Sequence, residues 1–179
     1  MNRILLILAF AAAALHADES KHRIIGISEP SRVDDLRELV KTIAGVELVN
    51  VDPATTEIVL RYELSALFPS INPKKPPAEE AITQKLDSLL KAASRGTFTL
   101  KPPATLAEDK MEKIEIQAGL LDCMACRYGA YIAIAKLDGV EHASISQTNL
   151  LTAWIDPAKV KREDLLAALK KGRVEVLTP

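Results

Sequence analysis

Cysteine is scarce in this 179-residue sequence: Cys123 and Cys126 are the only two, three positions apart. Two cysteines cannot build a multi-bridge disulfide scaffold, so they leave either a metal-ligating pair or one local disulfide. Aromatic residues make up 4% of the chain, too few for the stacking platforms that bind single-stranded nucleic acid. The formal net charge of −1 gives no electrostatic case for a nucleic-acid partner. Paired carboxylates, a Ser–His arrangement, a Gly-rich phosphate loop and a His-Glu-x-x-His motif are all missing. The sequence thus makes no case for hydrolysis, phosphoryl transfer or nucleotide binding, and the expectation is a protein that is not an enzyme.

Long apolar runs are also few. Ile4 to Leu15 is an unbroken stretch of Ile, Leu, Phe and Ala behind Arg3. As a helix it spans about 18 Å, short of the ~30 Å hydrocarbon core of a bilayer. It ends in Leu15-His16-Ala17, a small-residue cleavage site, followed by polar Asp18-Glu19-Ser20. Residues 1–17 therefore read as a secretory signal, and the expectation is an exported protein, periplasmic or extracytoplasmic, with no membrane span after cleavage. No cysteine follows the cut, so a lipid anchor is not indicated.

What is present is patterned. His22 to Ile27 reads as a strand. From Ser31 to Ile43, Leu36, Leu39, Val40 and Ile43 make the apolar face of a helix that Gly45 ends. Val46 to Val51 and Ile58 to Tyr62 alternate as half-buried strands around the turn residues 52–55. Adding 94 to these numbers finds the same order again. Leu36, Leu39, Val40 and Ile43 become Ala130, Ala133, Ile134 and Leu137, and Gly45-Val46-Glu47 becomes Gly139-Val140-Glu141, identical in type. Strands are expected at Glu112 to Gln117, His142 to Ser146 and Leu150 to Ile155. Each unit should close with a helix and a strand: Ala78 to Ser94 with Thr97 to Leu100, and Lys161 to Lys170 with Arg173 to Leu177. The predicted fold class is α+β, two tandem ferredoxin-like βαββαβ units, each a two-layer sandwich with an antiparallel sheet. The expected divisions are a first unit at 21–101, a Pro-rich linker at 102–110 and a second unit at 111–178. The first unit carries an additional loop from Leu64 to Pro77, in which Leu67, Phe68 and Ile71 serve either a domain interface or a clasp over the unit's own sheet.

Cys123-Met124-Ala125-Cys126 lies after the first strand of the second unit, where its helix begins. Two intervening residues let both sulfurs face one point, the geometry for two-coordinate Cu(I) or for two of four zinc ligands. A helix N-terminus favours thiolate over thiol, and Arg127 acts the same way, whereas Asp122 opposes it. Taken alone, Cys-x-x-Cys also fits a redox centre or a local disulfide.

The register around the pair is more specific. From Cys123 through CRYGAYIAIAKLDGVEHASIS to Asp164-Leu165-Leu166-Ala167-Ala168-Leu169, the chain resembles the heavy-metal-associated domain family of copper chaperones and mercury-binding proteins. The resemblance covers roughly Glu112 to Val176. It implies a ferredoxin-like fold in which Cys123 and Cys126 bind Cu(I), or less readily Hg(II) or Zn(II), in an exposed loop. It also implies a partner that exchanges the ion through its own cysteine or methionine ligands. Leu121 and Asp122 stand where the family usually has Met and Thr, Met124 lies between the cysteines, and Lys171 or Arg173 falls where the family places a basic residue near the metal. The first unit resembles the family more distantly: Glu29 and Arg32 occupy the positions of the two cysteines, so no soft-metal ligand is expected there.

His22 reads as a solvated tail residue, and His142 as lying away from the cysteine loop. On the helix after the cysteines, Tyr128, Tyr131, Ile132 and Ala135 are expected to face outward, with few charges among them. Such a face suggests a contact surface, for the first unit or for a partner protein. The leading expectation is an exported protein that binds or transfers a soft metal. The alternatives are a thiol–disulfide redox protein and an interaction module with a vestigial metal loop.

Overall fold

The computed structural model describes residues 17–70, 72, 75–104 and 106–177. Residues 1–16 of the expected signal segment, and Ile71 and Pro73 of the Pro-rich loop, lie outside them. In chain order the elements are β1 (Asp18–Ile25), α1 (Arg32–Lys41), β2 (Val46–Val51), β3 (Glu57–Tyr62), α2 (Leu64–Leu67), α3 (Glu79–Ser94) and β4 (Thr99–Lys101). After a single 3-10 turn at Glu108–Lys110 come β5 (Glu112–Gln117), α4 (Met124–Ala135), β6 (Val140–Ile145), β7 (Leu150–Ile155) and α5 (Arg162–Lys171). Both sheets are antiparallel, ordered β2-β3-β1-β4 and β6-β7-β5. The fold is α+β with two βαββ-type units, and the first half completes the ferredoxin-like strand order.

Periodicity accounts for each layer. In α1, Val33, Leu36 and Val40 are buried, while Asp34–Arg37 and Glu38–Lys41 pair on the solvent side. Leu86 and Leu90 of α3 complete the helical layer over Ile24, Ile58 and Leu60 of the sheet. Leu67 is buried in that same core, with Leu64 and Phe68 packed against it. The loop after β3 is therefore a clasp over its own half. In the second half, Ala130 and Ile134 of α4 and Leu165 and Leu169 of α5 cover Ile114, Ile116, Leu151 and Ala153.

The repeated Gly-Val-Glu has a backbone cause. Gly45 and Gly139 follow α1 and α4 with φ of +72° and +85°, in the left-handed region that favours glycine. A Cβ at either would also sit within 2.3 Å of Ala66 Cβ or 2.7 Å of Lys159 Cβ, so both positions exclude a side chain twice over.

One predicted strand is not formed. Where Arg173 to Leu177 is expected as the closing strand of the second unit, the contact is a single bridge between Ala118 and Val176. Arg173 adopts φ +58°, which turns the chain out of α5 and leaves only the bonds Gly119 N–H to Glu175 O and Leu177 N–H to Gln117 O beside the bridge. The second sheet accordingly has three strands.

The halves meet on the sheet face of the first that its helices leave open. Arg23, Ile25 and Lys101 project there, Arg23 and Lys101 opposite each other in the β1–β4 register. Ile25 joins the core of the second half. Arg23 forms an ion pair with Glu141 in which both side chains are buried, and also donates to Pro102 O at 2.8 Å and Glu141 O at 2.6 Å. Lys101 Nζ donates to the carbonyls of Ala135 and Val140, each at 2.7 Å, and of Leu137 at 3.3 Å. Its cation thereby sits at the negative end of α4. Ile145 N–H donates to Ser28 O at 2.8 Å, so the first half occupies part of the free edge of β6.

Of the two partners expected for the weakly charged face of α4, the first half is the one that covers it. Tyr131 is 1% exposed and Ala135 is buried, because that face meets the first half. Tyr131 Oη accepts from Gly26 N–H at 3.0 Å, and Tyr128 Oη donates to Thr97 O at 2.6 Å. Tyr128 and Ile132 are half-buried. His22 is not a solvated tail: β1 extends back to Asp18, and His22 is buried with Nε2 2.8 Å from Ser20 Oγ.

Candidate functional site

Alternation ends at Gln117, and the chain leaves β5 through Ala118 and Gly119 before α4 begins at Met124. Cys123 is the N-cap of α4, with extended backbone at φ −118° and ψ +148°. Its Sγ accepts the Cys126 N–H at 3.0 Å, and its carbonyl accepts the Arg127 N–H at 3.0 Å. One of the first-turn amides that a helix leaves unpaired, that of Cys126, is thus directed at sulfur.

The two sulfurs are joined as a disulfide, with Cα atoms 5.1 Å apart. Of the two pairings the sequence allowed, the structure holds this one. It also shows that both sulfurs reach a common point, the requirement for a shared metal ion. A disulfide offers no thiolate, so only the reduced form is a ligand pair.

Asp122 stands beside the pair. One of its carboxylate oxygens and the two sulfurs all lie within 4.8 Å of one another, and Asp122, Cys123 and Cys126 are all exposed. Among the described residues this is the one group of three or more His, Cys, Asp or Glu with such spacing. Leu121 packs against the second-half core and anchors the loop from beneath. Met124 is 65% exposed and reaches no core. Lys171 and Arg173 are exposed at the end of α5, and neither makes a side-chain hydrogen bond or ion pair among the described residues.

His142 is remote in chemistry as well as in sequence. It is buried on β6, stacked on Trp154 with ring centroids 4.2 Å apart. Burial, aided by the Arg23 charge and opposed by Asp52, lowers its pKa to about 4, so it is neutral at ordinary pH.

Two features escaped the sequence. Leu120 is 85% exposed next to the site, an apolar side chain that no alternation pattern flags because it lies in a loop. The cysteine-free loop of the first half, Glu29 to Arg32, lines a groove together with Met124, Arg127 and Tyr128. The 94-residue shift made the two loops equivalent in order, but equivalence does not imply that they are neighbours.

No family model matches the sequence, nor does any curated protein. Among solved structures, the chain is similar to the N-terminal soluble domains of Bacillus subtilis CopA, with 19% identity, 89% of this chain and 92% of that one covered, and a TM-score of 0.35. It is also similar to the N-terminal extension of Cupriavidus metallidurans CzcP, with 16% identity, 88% and 98% coverage, and a TM-score of 0.34. At these TM-scores the likeness carries no argument about this chain.

Proposed function

We propose that the protein, once its Cys123–Cys126 disulfide is reduced, binds a soft metal ion and passes it to a partner with cysteine or methionine ligands. The observation that carries this reading is the convergence of the two sulfurs and an Asp122 oxygen at one exposed point on a helix N-terminus. Reduction supplies two thiolates there. The cap geometry favours their negative charge, since Cys126 N–H already points at Cys123 Sγ at 3.0 Å.

Two thiolates alone suit Cu(I), which is the ion proposed first. Asp122 adds a harder oxygen donor, which Zn(II) uses more readily than Cu(I) does, while Hg(II) would take the sulfurs alone. Exposure matters for transfer, because incoming thiolates can attack the ion before it is fully released. The exported location belongs to the same proposal, and a disulfide in the site fits an oxidising compartment.

The disulfide itself favours a second reading, in which the pair cycles between dithiol and disulfide as a redox protein. One experiment separates the two. Protein reduced under anaerobic conditions is titrated with Cu(I), and separately with Zn(II), against a chelator of known affinity. The oxidised protein and the Cys123→Ser/Cys126→Ser variant are treated alike. The metal reading expects one ion per reduced chain and none in either control. Equal, weak binding in all three would overturn the metal reading and leave the redox protein and the interaction module with a vestigial metal loop.

A further inference from the structure

Among the described residues four large apolar side chains are exposed, and three of them, Leu120, Met124 and Leu177, gather at the end of the second half that carries the cysteine loop. Leu177 is held there by its N–H, which donates to Gln117 O at the close of β5. Leu120 is the most exposed of the three and sits on the short segment between β5 and Cys123. Past Cys123 in the chain, the first turn of α4 forms one wall of a groove of about 340 Å³, and the first half forms the other. Met124, Tyr128 and Ile145 give this groove an apolar lining. The same end of the molecule thus carries an apolar knob and an apolar hollow, with Cys123 between them in the chain.

The charges give the pairing of knob and hollow a register. Asp122, two residues after Leu120, makes no side-chain hydrogen bond or ion pair among the described residues. On the α4 wall of the groove, Arg127 is equally without a partner. The first-half wall carries Glu29 and an Arg32 already engaged by Asp35. An apolar side chain followed by an acidic one therefore fits in one sense only, with its carboxylate against the α4 wall and away from Glu29. Leu120 and Asp122 of a second copy supply that order of groups. We infer that this end of the protein is a self-complementary docking face, in which Leu120 of each copy enters the other's groove and Asp122 of each pairs with Arg127 of the other.

A twofold axis makes both contacts at once, because the residue that inserts and the hollow that receives it lie on the same chain. The two apolar insertions drive the association. The two exposed ion pairs select register and partner more than they add affinity. Nothing in the contact needs a thiolate, so the face exists in the disulfide form and the inference stands apart from the metal reading. Asp122 and Met124, on either side of Cys123, both belong to the contact, so pairing brings the two cysteine loops to one interface.

The test is sedimentation equilibrium of the oxidised chain without residues 1–17, the form the expected cleavage leaves, which keeps every element from β1 onward. The native protein should rise from the mass of one chain toward that of two as its concentration goes from micromolar to millimolar. Leu120→Ser, at a position too exposed to disturb the fold, should raise the dissociation constant by about tenfold or more, since each pairing loses two buried leucines. Asp122→Lys and Arg127→Glu should each weaken self-pairing, because each sets like charges against one another at both contacts. An equimolar mixture of these two variants should recover pairing, because each contact between unlike copies then joins opposite charges. A native chain that keeps the mass of one chain at millimolar concentration overturns the inference. Association that Leu120→Ser leaves unchanged, or a mixture that pairs no better than its components, overturns it as well.

Discussion

Asp122 is the residue on which the chemistry of the site turns most sharply. Its carboxylate disfavours the thiolates it adjoins, yet it offers a third donor to an ion that accepts oxygen. Asp122→Asn should lower Zn(II) affinity by about tenfold, as loss of a supporting carboxylate commonly does, and leave Cu(I) affinity unchanged or higher. Competition titrations of both ions with the reduced variant check this, and parallel loss of both would assign Asp122 a structural role. His142 makes a different prediction. Its folded pKa of about 4 lies below the unfolded value of 6.5, so the unfolded chain takes up a proton first as pH falls. Stability attributable to neutral His142 is intact above pH 6.5 and is lost as pH drops from 6.5 to about 4. His22, also lowered by burial, adds in the same direction. Urea unfolding at stepped pH should show a shallower acid decline for His142→Phe than for the native chain. An unchanged slope would contradict the assignment.

At the scale of elements, period-2 and period-3.6 patterns were enough to find every helix over eight residues and most strands, because each buries one face on a core of its own half. Leu150 to Ile155 is strand β7 without adjustment, since β5 pairs with it throughout and β6 pairs with it from Leu151 to Ile155. The final strand was not legible. Val174 and Val176 alternate as a strand should, but the left-handed Arg173 beside α5 leaves room for one bridge only. The face of α4 was legible as a contact surface but not its partner: periodicity and missing charge tell that a face is to be covered, not what covers it, and Tyr131 is covered by the first half through Gly26. The cysteine pair was legible from spacing, whereas its oxidised state and the nearness of Glu29 and Arg32 depend on tertiary placement. The α2 clasp gives the prediction at this scale. Leu67→Ala should destabilise the chain by about 2–5 kcal/mol, the range for emptying a buried leucine site, with reduced-state metal affinity unchanged. Denaturation and metal titration of the same sample check both halves of that statement.

Over the whole molecule, the contact between the halves combines apolar burial with two cations placed deliberately for the geometry of the other half. Arg23 answers the buried Glu141 carboxylate, and Lys101 answers three carbonyls, of Ala135, Leu137 and Val140, where the chain passes from α4 to β6. Such groups contribute little to stability when intact but cost heavily when half is removed, so they specify one docking arrangement. Glu141→Gln should destabilise by about 3–5 kcal/mol by leaving Arg23 buried without its counter-charge, and Arg23→Met combined with Glu141→Leu should recover most of the loss. Equilibrium unfolding of the single and double variants tests this coupling. The same docking holds α4 at its middle and its C-terminal end, through Tyr131 and Lys101, and so fixes the helix whose N-terminus carries the cysteines.

The central claim is that Cys123 and Cys126 together ligate a soft metal ion. X-ray absorption of the reduced, Cu(I)-loaded chain tests it most directly. The account predicts two sulfur scatterers per copper at bonding distance, and their disappearance in the Cys123→Ser/Cys126→Ser variant. A shell of nitrogen or oxygen alone, or a sulfur shell that survives in the variant, would contradict it.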